Sequence, residues 1–174
     1  MGSIRKPHPV KLIVGFIYKD KSILEKTESI LRKNFGAIDF QSKIFAFTHT
    51  DYYNKELGTG LKRKFISFKP LILPQKLAGI KVFANSIEKK FSKDSRRLIN
   101  IDPGYIDLPK LVLASAKDFS HRIYIGRGIH AEVTLSYQNK AFKWYEWTFP
   151  DYRTPEYIAI FTKIRKIYFK QVRK

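Results

Sequence analysis

Cysteine is absent from the 174 residues, which excludes disulfides, thiolate chemistry and any Cys-ligated zinc site. Long apolar runs are absent too. Nothing approaches the roughly 20 residues that a membrane helix needs, so no membrane partner is expected. The run Val10–Tyr18 is short and β-branched, and no small-residue cleavage site follows it, so it reads as a strand and not a signal peptide. A cytoplasmic setting is expected. Acids are scarce: 15 Asp and Glu stand against 34 Lys and Arg, a formal charge of +19. A field of that sign attracts polyanions and speeds their encounter, so an anionic partner, a nucleotide or nucleic acid, is expected. The alternative is a lysine-rich skin with no dedicated partner.

What is present suffices for a core. Hydrophobic residues make up 44% and aromatics 15%, which argues against disorder. The length fits one domain. Residues 1–9, basic and broken by Pro7 and Pro9, read as a flexible arm before a single α+β domain over 10–174.

Periodicity and punctuation give the element order. Lys11–Tyr18 is a buried strand. A helix over about Ser22–Asn34 is expected to start at a Ser22/Glu25 capping box and stop at Gly36. Ala37–Thr48 reads as a second strand, residues 49–60 as a polar loop, and Leu61–Lys69 as a third strand. Pro74 opens a second helix, whose apolar face carries Leu77, Ile80, Ala84, Ile87 and Phe91. Leu98–Asp102 is a fourth strand, closed by Pro103-Gly104. The order β-α-β-β-α-β is the ferredoxin-like pattern. Beyond it, Lys110–Ser115 forms a strand, and Ile129–Tyr137 turns through Gln138-Asn139-Lys140 into Phe142–Trp147. This C-terminal β-hairpin should extend the sheet. Thr154-Pro155 starts a closing basic helix with six basic residues and no acid from Lys163 to Lys174.

Phosphate-loop signatures fail on inspection. Gly58–Lys64 is glycine-rich and basic but precedes a strand, so no helix dipole faces its glycines. Gly126-Arg127-Gly128 reads as a tight turn whose arginine could clamp a phosphate. The GTPase-like fragments Asn54-Lys55-Glu56-Leu57 and Ser115-Ala116-Lys117 lack a phosphate loop ahead of them.

Titratable groups concentrate between Asn100 and Glu132. His130 and Glu132 lie two apart on one strand and share its polar face. A cation-lined pocket with a histidine acid–base would suit phosphoester or nucleotidyl chemistry. The candidate catalytic residues are His130 or His121, partnered by Glu132 or Asp102. The candidate ligand-binding residues are Lys117, Arg122, Arg127, Tyr105, His49 and Arg63. The alternative is a solvated sheet face with ordinary ion pairs. His49/Asp51 and His130/Glu132 share a strand-like spacing, but no established metal signature is present and the positive charge disfavours a cation, so no metal is assigned. Lys81, Asn85 and Glu88 share one helix face, read either as a site or as a solvated Lys–Glu surface. Tyr52, Tyr53, Phe65, Phe68, Trp144 and Trp147 among basic residues suit RNA stacking or simply a core. The motif of RNA-recognition domains is not found on the third strand. A non-catalytic scaffold, docking an acidic partner or ribosomal RNA through the basic C-terminal helix, is the third class. No motif names a cofactor or an oligomeric state.

The stretches Lys11–Phe16, His49–Gly58, Asn100–Ile106, Lys110–Lys117, His121–Tyr124, Gly128-Ile129, Ala131–Tyr137 and Trp147–Tyr152 together resemble an uncharacterised bacterial family, domain-of-unknown-function family 4416, over nearly the whole length. Some relatives carry a GTP-binding label, for which this sequence supplies no triphosphate-cradling loop. The resemblance implies that the polar residues within those stretches matter, and it implies no particular activity.

Overall fold

The computed structural model describes residues 2–94 and 96–173. In chain order the elements are β1 (Val10–Tyr18), α1 (Lys21–Phe35), β2 (Ile38–Gln41), β3 (Phe45–Ala46), α2 (Asn54–Leu57), β4 (Lys62–Ile72), α3 (Leu77–Lys90), β5 (Ser92–Lys93), β6 (Arg96–Arg97), β7 (Ile99–Ile106), β8 (Lys110–Ser115), β9 (Ile123–Gly126), β10 (Ile129–Gln138), β11 (Ala141–Trp144) and α4 (Pro155–Val172). The result is a mixed α+β fold around a large sheet of order β11-β10-β8-β7-β1-β4-β2. The paired strands are antiparallel.

Alternation along β1 explains the layers. Leu12, Val14, Phe16 and Tyr18 join Leu24 and Leu31 of α1 and Ile80, Ala84 and Ile87 of α3 in one core. Ile13 faces the other way, into a core with Phe65, Leu111, Leu135 and Tyr157, Phe161 and Ile164 of α4. Both faces of the sheet are therefore covered, which is why all nine residues of β1 are buried and its sequence shows no polar alternation. The charged member, Lys11, pairs with Asp39 at 2.6 Å and donates to the Phe68 carbonyl at 2.9 Å.

Several local expectations are corrected. Asp20, not Ser22, caps α1: its carboxylate accepts from the Ser22 backbone N–H at 2.7 Å. Asp is as good a cap as Ser, and its position two residues earlier starts the helix at Lys21. The segment 37–48 splits into β2 and β3, each paired to β4. The loop 49–60 contains the short helix α2. A 3-10 turn over Pro74–Lys76 precedes α3.

The most consequential correction concerns Pro103-Gly104. They do not close a strand; β7 runs through them to Ile106. Along its whole length β7 pairs with β1, but with β8 only from Gly104↔Leu113 to Ile106↔Leu111. Proline lacks the N–H that a ladder needs, so the two strands part at Pro103. Gly104 marks the last close approach, since a Cβ there would sit 2.3 Å from the Val112 carbonyl oxygen. A Gly104→Ala substitution is expected to lower stability by about 1–3 kcal/mol, as overpacking against backbone does, read as a lowered urea midpoint at unchanged slope.

Candidate functional site

Where β7 and β8 diverge, a cleft of about 610 Å³ opens. In an antiparallel ladder the N–H and C=O of one residue point to the same side. Ile101 donates its N–H to Glu88 Oε1 at 2.6 Å and accepts from Lys81 Nζ at 2.7 Å. Side chains of α3 thus occupy the edge of β7 that β8 has left. Lys81, Asn85 and Glu88, the shared helix face noted in the sequence, all line this cleft. Lys81 and Glu88 are buried, so that face is not a solvated one.

On the other face of the sheet lies Arg63, the largest fully buried side chain. Gly15 of β1 leaves space for it: a Cβ there would lie 3.2 Å from Arg63 Nη2. Arg63 donates to Asp102 Oδ2 at 3.1 Å and to the Tyr152 hydroxyl at 2.7 Å, and Asp151 Oδ2 lies 3.7 Å away. The guanidinium also sits over the rings of Phe65 and Tyr152, at 4.8 and 5.2 Å. Two carboxylates thereby share one buried cation but differ in environment. Burial opposes ionisation of Asp102, yet Arg63 and then Lys81 hold its carboxyl below the ordinary value. Burial pushes Asp151 up, and Arg63 only partly offsets it.

Asp151 and Tyr152 are delivered by the segment after β11, and the reason is local. A register shift in β10 falls between Val133 and Leu135. The Thr134 carbonyl accepts from Thr148 Oγ1 at 2.6 Å, and the Val133 carbonyl accepts from Trp147 Nε1 at 3.0 Å. Arg153 closes the turn by donating to the Thr148 carbonyl at 2.7 Å. The 3-10 turn Pro150–Arg153 is pinned so that Asp151 and Tyr152 face the cleft.

The opposite wall comes from the end of β8 and the loop beyond β3. Lys117 Nζ bonds the Tyr52 hydroxyl and lies 4.4 Å from the Tyr52 ring centre. Glu56 of α2 takes a bidentate pair from Arg97 at 2.6 and 2.7 Å, and Arg97 also reaches Glu88 and Asn100. Arg122 bonds Glu132 at 2.8 Å and the Lys117 carbonyl at 3.0 Å.

Of the ten residues singled out in the sequence, His49, Arg63, Asp102, Lys117, Arg122 and Glu132 line this one cleft. His121 stands behind it. Its Nε2 lies 3.1 Å from Glu132 Oε2, and its ring stacks on Trp147 at 5.4 Å, which in turn stacks on Tyr145 at 4.6 Å. The remaining three lie elsewhere. His130 does not line the cleft; it pairs with Asp118 at 3.4 Å and packs on Tyr124. Tyr105 packs with Leu77, Val112 and Ile129 on the α3 side of the sheet. Arg127 lies against Gly79 in a separate open groove with Lys76 and Phe35, so it does not join Lys117 and Arg122. Among the described residues no three His, Asp or Glu side chains gather to hold a metal ion. No helix among them is long and apolar enough to cross a membrane.

Sequence reasoning missed Arg97, Asn100, Phe149, Asp151 and Tyr152 as cleft residues. The available signal was the Pro150-Asp151 step, an acid entering a turn between two aromatics.

The model of a family described as domain of unknown function (DUF4416) matches residues 8–168. No curated protein and no solved structure matches.

Proposed function

We propose that this chain, which belongs to the DUF4416 family, binds a small phosphate-bearing ligand of nucleotide size in the cleft between β7 and β8. The volume lies in the range of sites for small molecules, which are concave and enclosed, unlike the open grooves that hold polymers. Charge pairing carries the reading. Five Lys or Arg side chains line the cleft: Arg63, Lys81, Arg97, Lys117 and Arg122. Among the described residues four of them are within 4.0 Å of a carboxylate, and Lys117 is not. Lys117 is the surplus cation, and Tyr52, Tyr53 and Phe149 supply aromatic walls against which a base can stack. The four-strand order β7-β1-β4-β2, antiparallel and joined through α1 and α3, supports a ferredoxin-like reading of this half, enlarged by β8 to β11.

Calorimetry with AMP, GMP, ATP, GTP and inorganic phosphate tests the proposal. At least one nucleotide is expected to bind, with a shallow salt slope. Lys117→Ala is expected to weaken that binding about tenfold, the loss of one charge-assisted hydrogen bond. No binding by any of the five probes would remove the reading.

A second reading, RNA as ligand, is favoured by a different surface. Lys163, Lys166 and Lys170 stand exposed along one face of α4, and none lines the cleft. Single-stranded RNA binding that falls steeply with salt and is lost in a variant with these three lysines changed to Glu would favour this reading.

A further inference from the structure

Resting on that reading, we infer that the inner end of the cleft takes the vicinal hydroxyl groups of a ribosyl unit, so that the ligand enters hydroxyls first and leaves its phosphate at Lys117. The inner end has no surplus cation. Arg63, Lys81 and Arg97 are matched there by Asp102, Asp151 and Glu88, whereas Lys117, which has no carboxylate partner among the described residues, stands at the outer wall beside Tyr52. A phosphate pushed inward would meet carboxylates; hydroxyl groups would meet acceptors.

The acceptors are open. Asp102 spends Oδ2 on Arg63, and the nearest cation to Oδ1 is Lys81 Nζ at 4.0 Å, beyond hydrogen-bond reach. Its side chain keeps 24% of its surface, and the residue lines the cleft. Asp151 touches Arg63 at 3.7 Å, also outside hydrogen-bond range, and its carboxyl lines the same space. A donor is underused as well. Asn100 is 4% exposed and its Oδ1 accepts from Arg97; its buried Nδ2 makes no hydrogen bond of ordinary length, and it leans on the neighbouring Asp102 carboxylate, whose ionised form it favours. Asn100 and Asp102 are two apart on β7, so both side chains leave the same face of the strand. A buried amide that donates, next to a carboxylate that accepts, matches a pair of neighbouring hydroxyls, each of which gives and takes one hydrogen bond. A carboxylate receiving ribose hydroxyls is a recurrent solution wherever nucleotides are bound. Lone phosphate and hydroxyl-free phosphate esters would leave these groups unused.

The test uses the intact protein and matched probes in calorimetry: AMP and GMP, their 2′,3′-dideoxy counterparts, ribose 5-phosphate and inorganic phosphate. Removal of the hydroxyls is expected to weaken nucleotide binding about tenfold or more, since buried polar groups are then left unpaired. Asp102→Asn is expected to shrink the ratio of ribonucleotide to dideoxynucleotide affinity. Ribose 5-phosphate binding more tightly than phosphate would place the recognition in the sugar alone; equal affinities for those two probes would mean that a base is also required, with the hydroxyl preference among nucleotides unaltered. The wild-type comparison needs no variant, so it holds even where Asp102→Asn fails to fold. Nucleotides that bind equally with and without the hydroxyls would overturn the inference and leave the nucleotide reading standing. If neither nucleotides nor phosphate bind, both fall together.

Discussion

Arg63→Met is expected to lower the unfolding free energy at neutral pH by about 3–5 kcal/mol, the usual consequence of removing one partner from a buried ion pair. Methionine roughly fills the volume but leaves Asp102 and Asp151 facing one another without the cation between them. It also removes the bond to the Tyr152 hydroxyl and the contacts over Phe65 and Tyr152. The loss has a pH signature. In the folded protein the Asp102 carboxyl is held below its ordinary value, so its contribution is present above the unfolded value of about 3.9 and fades as pH falls through the lower folded value. Asp151 runs the other way, because burial raises it and ionising it costs stability as pH rises. Without Arg63 both carboxyls shift upward, and the variant is penalised most where both should be ionised. Urea unfolding at pH 7 and near pH 4 is therefore expected to show a gap between wild type and variant that narrows in acid. A gap that stays constant would mean that Arg63 acts through packing alone.

A loss of similar size, about 3–5 kcal/mol, is expected for Glu88→Ala. Glu88 is buried and serves three groups: the Ile101 N–H at 2.6 Å, Arg97 at 2.9 Å and Lys81 at 4.0 Å. Its removal strands a backbone donor that no strand can reach, because β8 has already turned away. Glu88→Gln keeps an acceptor for Ile101 and loses only the charge, so it is expected to be the milder change. Amide hydrogen exchange separates the two. The Ile101 amide should exchange faster in the alanine variant and nearly as in wild type in the glutamine variant. Equal exchange in all three proteins would show that some other group protects Ile101.

Elements governed by their own neighbours were legible in the sequence. β1, α1, α3, α4 and the β10–β11 hairpin follow from apolar spacing, caps and a turn that the structure narrows to Asn139-Lys140, all local signals. The start of α1 was misplaced because Ser22 and Asp20 are both competent caps and only the backbone decides between them. Pro103-Gly104 was misread because a proline in a central strand is tolerated only where its neighbour departs, and that departure is a tertiary fact. The site divides along the same line. Arg63, Asp102, Lys117, Arg122 and Glu132 were singled out as charges, but their convergence depends on the order β10-β8-β7-β1-β4 across the sheet. Asp151 was missed because its importance arises from Arg63, 88 positions away in the chain. His130 and Arg127 were singled out for an imidazole and a turn-tip guanidinium, but His130 is engaged by Asp118 and Arg127 lines a separate groove, facts the sequence does not carry.

The parting of β7 from β8 leaves a window through the sheet, with α3 on one side and the Pro150–Arg153 turn on the other. A guest lodged in that window would touch both layers at once and act as a rivet between them. The empty protein should therefore yield first along this seam under heat or force, and the filled one should resist shear that the bare sheet cannot.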